Sequence, residues 1–562
     1  MAIHFPGRMR GQANALEVSV MPAPTKGLDA RAPTGNMPPD VCIYTYNLMP
    51  AEYGMLIRPG YREWNIGLDL GSGDGVYSII PYTGVAQGSS DDRLFAMTNE
   101  AIWDVTAYDS PVNKLTFGSS QLGSGHGVSA HYIDQAGNDW LYYADAINGL
   151  HIYAGATNGS GTPDTWVKAT DEITGVDPNG PDLNLGAVVF VVVHKQRMWL
   201  VEEGASHAWY LGQNAGLGDA TKFHFGTKFP HGGRVYAMYN WSIDGGQGVD
   251  DMLVVVSSSG DVVVYQGSDP EATDWSVRGT YYIGDVPQGR RIGTEYAGDL
   301  YLISSFGLQS MGDLVRGVDS LNPAETSLSY RIARPLRTQI AAKRSEFGWE
   351  PVYLPPLGAM HITVPNTEGE RWIQYNATLA TEGWGIYRDV PMRCVTDYLG
   401  KVYFGDEQGR VCVMDTTRDN MLITAPPEPE LNGDPIEFSI LSSYQNLNTP
   451  GLHKRVQMVR PDFYGDAKPA FEQRILYDYD VTEPPTPQDL PGNQTEGFRW
   501  DDPGALWDNA VWATNSGVSY GAFLLGGVAG IGRTLAVALK GTTGTEIRLL
   551  SWDIMWQTGG PI

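Results

Sequence analysis

DMLVVVSSSGDVVVYQG, residues 251–267, reads as one β-hairpin. Two runs of β-branched and aromatic residues flank a short turn of serine and glycine, which is the composition of paired strands around a tight reversal. The phrase recurs along the chain. DDRLFAMTNEAIWDVTA (91–107), DWLYYADAINGLHIYAGAT (139–157) and QRMWLVEEGASHAWYLG (196–212) precede it. GDLYLISSFGLQSMG (298–312) and GKVYFGDEQGRVCVMD (400–415) follow it. The starts lie about 45 to 60 residues apart with one double gap, and VYLPPLGAMHITVP (352–365) with RWIQYNATLATEGWGIY (371–387) fills that gap. A period near 50 with two visible strands per unit predicts four-stranded blades around an axis, a β-propeller. The competing architecture is a large sandwich of unrelated hairpins, but sandwiches seldom repeat a strand–turn–strand phrase at such intervals.

Composition agrees with a strand-built protein. In 562 residues, hydrophobic types make up 42% and aromatic types 11%, enough for a core, while 68 glycines and 36 prolines favour turns over long helices. The length calls for two or more domains, or one large repeat-built one. The longest apolar run, GAVVFVVVH (186–194), is far short of the roughly 20 residues of a membrane helix and reads as a buried strand, so no membrane insertion is expected. Its opening, MAIHFPGRMRG, carries no apolar stretch of the secretory type, so synthesis in a cytoplasm is expected. Cys42, Cys394 and Cys412 form neither a disulfide framework nor a zinc-knuckle spacing.

The expected organisation has three parts. Residues 1–65, with the Pro- and Gly-rich PAPTKGLDARAPTGNMPPD (22–40), form an extended arm lying along something else. Residues 66–425 form the propeller. PPEPELNGDP (426–435) then leads into a C-terminal β-sandwich, residues 426–562, built from strand-like segments such as HKRVQMVRPDFYG (453–465) and TEIRLLSWDIMWQ (545–557). One helical insertion interrupts the β pattern near 324–346, where Leu328, Ile332, Leu336 and Ile340 recur four apart; Pro335 leaves one helix or two short ones open. The same segment holds Arg331, Arg334, Arg337, Lys343 and Arg344 with no acid among them. That is either a solvated helix face or a docking surface for an acidic neighbouring subunit or a phosphate.

Lys and Arg number 38 against 64 Asp and Glu, a net charge of −26, which disfavours broad binding to nucleic acid or anionic membrane. An acidic wall can still line a passage for DNA, because it repels phosphate. Motifs for chemistry are sparse. Gly517-Val-Ser519-Tyr-Gly521 matches the nucleophile-elbow pattern, yet no helix pattern follows it and the last histidine, His453, lies upstream, so chance explains it. The ten histidines are scattered, His194 at a strand end and His224 and His231 in loops, and no Walker loop is present. The acidic turns Asp69–Asp74 and Asp244–Asp251 lack EF-hand spacing and read as solvated loops. Trp500, Trp507 and Trp512 could stack on sugar rings, although such tryptophans more often pack a loop or fill an interface. No catalytic, cofactor-binding or metal-binding residue is assigned.

NMPPDVCIYTYNLMPAEYGMLIRPGY (36–61) resembles the opening of podovirus tail nozzle proteins, the tail tubular protein B-like family. ITGVDP (173–178) followed by HKQRMWLVEEGASHAWYL (194–211), the stretch 241–284, the helix-bearing stretch ending in 400–415, and the C-terminal KRVQMVRPDF (454–463) and WDDPGALWDNAVW (500–512) are similar to that family in the same order. The one departure is Asp501 to Ala505, which interrupts the tryptophan motif. The resemblance covers most of residues 25–560. It implies a non-enzymatic virion protein at the distal end of a short tail, a packaged-DNA stabilisation role, and a homo-hexameric ring beneath a tail adaptor with fibres or spikes as further partners. Double-stranded DNA would pass through the lumen without sequence-specific binding, and no cofactor is implied. A receptor- or glycan-binding tail propeller is the alternative, and a glycan-degrading enzyme ranks below it.

Overall fold

The computed structural model describes residues 16–561 except 69–74, 85–89, 119–123, 245–248, 319–326, 367–370, 423–432, 466, 468, 488–517 and 522–529. The protein is mainly β and divides into two compact units, one of residues 59–434 and one made from both ends of the chain, 1–58 with 435–562.

The described residues of 59–434 form a ring of seven small sheets, the blades of a propeller, antiparallel except where Ile173–Thr174 pairs parallel with Gly218–His224 at the edge of blade three. The blades begin on the inner strands Val76–Tyr82, Gly127–Ile133, Val188–His194, Val235–Asp244, Gly293–Tyr296, Glu350–Leu354 and Met392–Tyr398. Inner strands of successive blades pack side by side, save that Val235–Asp244 of blade four packs on the second strand of blade five, Asp299–Ser304, and the seventh packs beside the first, so the ring is closed. Every repeated phrase read from the sequence falls on a different blade. Six supply the second and third strands, as 251–267 does with Val249–Ser257 and Asp261–Gln266, and the gap phrase spans blade six. These strands are buried on both faces between neighbouring blades, which is why Val254, Val255, Val256, Val262 and Val263 are all fully buried and the apolar run is nearly continuous rather than alternating.

The turns between second and third strands carry a short polar residue with a defined task. Asp406 accepts from the backbone N–H groups of Gln408 and Arg410, both at 2.8 Å. Asp261 accepts from the His231 N–H at 2.8 Å and so ties down the loop entering blade four. Ser304 donates to the Ile283 carbonyl at 2.6 Å and does the same for blade five.

Closure uses the strand Gly60–Asn65, which pairs antiparallel with Val411–Thr416 as the outer strand of blade seven. Arg62 holds it in place with a bidentate pair to Asp415 at 2.8 and 3.0 Å. The extended arm expected over 1–65 therefore divides: its last strand completes the propeller, and the rest belongs to the other unit. The 426–435 linker lies mostly outside the described residues.

Among the described residues blade five has three strands, and two helices, α1 (Met311–Val315) and α2 (Ala333–Lys343), cover its outer strand Gly307–Ser310. Pro335 sits in the first turn of α2, where its missing N–H has no intrahelical partner to lose, so it starts one helix instead of splitting it. Ile332, Leu336 and Ile340 are fully buried, as their spacing requires. The buried Trp349 donates its indole N–H to the Lys343 carbonyl at 3.0 Å and closes the helix end.

The second unit is a β-sandwich. One sheet runs in the order Leu48–Pro50, Met55–Ile57, Ile547–Pro561, Leu452–Gly465, Val518–Gly521, with Glu17–Pro22 also paired to Ile547–Pro561. The facing sheet contains Cys42–Tyr46, Ile436–Ser442, Leu535–Thr543 and Ala470–Tyr477. Phe438, Ile440, Val537 and Leu539 from one sheet meet Val456, Phe463, Trp552, Ile554 and Trp556 from the other in one core. The arm residues Met21, Cys42, Leu48 and Met55 are buried in that same core. Lys454 is also fully buried, its ammonium donating to the carbonyls of Thr449, Leu452 and Arg533 at 2.8, 3.0 and 2.7 Å.

Candidate functional site

The axis is the one place where side chains from most blades converge. The inner strands start together at one end of the ring, and there Arg291, two residues before the inner strand of blade five, reaches three other blades. It donates to Glu350 Oε1 at 3.2 Å on blade six, to the Tyr77 carbonyl at 2.8 Å on blade one, and to His126 Nδ1 at 3.1 Å at the entry to blade two. Blades one and two stand across the ring from blade five, so this guanidinium links opposite sides of the ring.

The cluster is packed as well as charged. His126 lies between Tyr77 and Phe347, with ring centroids 4.6 and 5.7 Å away, and the Arg393 guanidinium sits 5.3 Å from the Tyr77 ring and 5.6 Å from that of Trp372. Burial, then the charges of Arg291 and Arg393, push the His126 pKa well below its ordinary value, so the imidazole is neutral and its Nδ1 is the acceptor for Arg291. Burial raises the Glu350 carboxyl above the ordinary range, opposed by the attraction of Arg291, and its second oxygen, Oε2, has no hydrogen-bond partner. Burial also pushes the neighbouring Cys394 thiol up to about 12. The imidazole nitrogen and one carboxylate oxygen are thus committed to the guanidinium, and the cluster acts as a cross-brace between blades.

At the other end of the inner strands a cleft of about 180 Å³ opens between blades four, five and six. Tyr296 and Tyr353 line it packed against each other, ring centroids 4.9 Å apart and planes tilted by 49°, and Trp241 lines it with its indole N–H donating to Asp299 at 3.1 Å.

The residues weighed from the sequence are dispersed. Ser519 lies on a short sandwich strand paired with Tyr464, not on a strand-to-helix turn. His194 is buried at its strand end, bonded to Asn240 at 2.8 Å, and burial lowers its pKa to about 4. His224 is exposed at the end of Gly218–His224, and His231 pairs with Asp261 at 2.7 Å. Asp251 accepts from Ser242 at 2.6 Å. Asp69–Asp74 and Trp500, Trp507 and Trp512 lie outside the described residues, as do the loop residues 245–248. Among the described residues, no group of three or more His, Cys, Asp or Glu is placed to hold a metal ion, and no helix is long and apolar enough to cross a membrane. The Arg291 cluster was not visible in the sequence. Its members are 59 to 214 positions apart, and only the propeller reading places the inner-strand starts together.

No family model matches the chain, and no curated protein matches it. Among solved structures, an extracellular domain of a hybrid two-component system from B. thetaiotaomicron is similar at 12% identity and a TM-score of 0.36, covering 74% of this chain and 51% of that one. The chain therefore spans about half the length of that protein. BBS1N in complex with ARL6DN gives 11% identity and 0.27 over 46% of this chain and 74% of that one. The computationally designed Ika8 protein gives 8% and 0.32 over 63% of this chain and 99% of that one. At such scores the propeller assignment rests on the strand pairing described above.

Proposed function

We propose that this protein is a structural subunit of the tail nozzle of a short-tailed bacteriophage, closing the tail channel, retaining packaged DNA and conducting it during ejection. The observation that carries the reading is the ordered resemblance of phrases along residues 36–512 to nozzle proteins. The acid excess supports it, since a −26 subunit repels phosphate and lets a duplex slide. So does the brace across the ring: with Arg291 tying blades one, two, five and six together, the passage for DNA is placed between copies, the arrangement of a homo-hexameric ring beneath a tail adaptor. Fibres or spikes would be its other partners, and the distal tail of the virion its location. No enzymatic step enters this reading, and opening is a loop or domain displacement driven by receptor engagement.

The cleft with Tyr296 and Tyr353 favours a second reading, a receptor- or glycan-binding propeller on the tail, because paired tyrosine faces are suited to stacking on a sugar ring. Imaging of assembled particles tests both. The nozzle reading expects this chain in a ring at the distal tail; a solitary, peripheral chain that binds host polysaccharide would overturn it.

A further inference from the structure

We infer that the outward face of α2 docks on an acidic surface of a second copy of this chain. The inference rests on the proposed ring and names one of its contacts. Blade five departs from the four-stranded plan, with helices standing where its fourth strand would be. α2 buries one face, Ile332, Leu336 and Ile340, and exposes Arg334, Thr338, Ala341, Ala342, Arg344 and Ser345 on the other. Small side chains hold the middle of that face and arginines its ends, a layout that lets a partner approach closely and be steered by charge at the rim.

Charge complementarity selects the occupant. Residues 331–344 carry +5 in a chain of −26, leaving −31 on the rest, and of these five Arg334 and Arg344 are the exposed ones. Within one copy, Arg344 already meets Asp285. A neighbouring copy offers exposed acids, among them Asp171, Asp182 and Asp219 along the outer edge of blade three. A nucleic-acid phosphate is the poorer occupant, because it would have to approach through the field of that −31. α2 is about 16 Å long, so it supplies part of the roughly 800 Å² per partner that stable association needs, and the contact is expected to weaken with salt.

The test is sedimentation of the full chain over a concentration series at about 50 and about 500 mM salt, for the wild type, Arg334→Glu and Ala341→Glu. Both positions are exposed, and circular dichroism melts check that both variants fold. The expected result is association of the wild type that weakens with salt, and a rise of at least about tenfold in the half-association concentration for each variant. Variants that assemble like the wild type would overturn the contact and leave the nozzle reading standing. A wild type that stays monomeric throughout would also overturn it, while imaging of the tail would still decide the nozzle. Binding of a labelled DNA duplex that Arg334→Glu abolishes would make α2 a phosphate contact instead.

Discussion

Replacing Arg291 by methionine keeps most of the volume of its side chain and removes its charge. Arg291 and Glu350 are only 12% and 13% exposed and stand 3.2 Å apart. At an effective dielectric of 20 their attraction is about 5 kcal/mol gross. The desolvation of both ions offsets much of this in the intact pair, but removing one partner leaves the other buried alone, which costs about 3–5 kcal/mol. Glu350 would be that residue, with Oε2 already lacking a partner and Oε1 now losing one. Glu350→Leu alone strands the guanidinium, although the Tyr77 carbonyl and His126 still accept from it, so its cost falls toward the lower figure. The double variant strands no charge and should lie within about 1 kcal/mol of the wild type. Equilibrium urea unfolding of the four proteins should therefore give a coupling energy of at least about 5 kcal/mol. The pH response has a defined sign. Glu350 has a raised folded pKa, raised further without Arg291, so the native state holds its proton longer than the unfolded chain and stability falls as pH rises. The deficit of Arg291→Met should shrink as pH is lowered from about 8 to about 5.5, and relief of the Arg291 charge on His126 acts in the same direction. Strictly additive single variants would refute the cross-brace.

Three further outcomes follow from groups elsewhere. His151 and His194 are buried with pKa values lowered to about 4, so the unfolded chain takes up protons that the native state refuses; stability should fall between about pH 6.5 and 4 by roughly 3 kcal/mol for each, measured by urea midpoints across that range. Gly260 has φ +83° and a Cβ there would stand 1.9 Å from the Gly284 carbonyl oxygen, so Gly260→Ala should cost at least about 2 kcal/mol in a thermal melt. Cys42, Cys394 and Cys412 are buried with pKa values raised by burial, so a thiol reagent should label none in the native protein and all three after denaturation.

The fold was legible wherever a local pattern determined it. The hairpin phrases announced the blades because a second and third strand packed on both faces need continuous apolar runs, and the reversal between them needs a short residue such as Asp261 or Ser257. The α2 stripe was legible for the same reason, while Pro335 left its start open until the first-turn position was known. What depended on distant pairing was hidden. Nothing in Gly60–Asn65 distinguishes a strand that closes blade seven from one that continues an arm, since the difference lies in its partner some 350 positions away. The Arg291 cluster was hidden likewise, and the ammonium of Lys454 is satisfied by carbonyls whose placement no spacing reveals.

The sandwich is woven from the two extremities of the polypeptide, with 376 residues of propeller between them. During synthesis the early strands emerge with apolar sides such as Met21, Leu48 and Met55 and must wait while every blade is made. Their shelter, Trp552, Ile554 and Trp556, leaves the ribosome only after the whole propeller has been made. A nascent chain that stops short of residue 547 keeps unmated apolar β segments from residues 17–57, so synthesis past that strand is itself a quality checkpoint for this molecule.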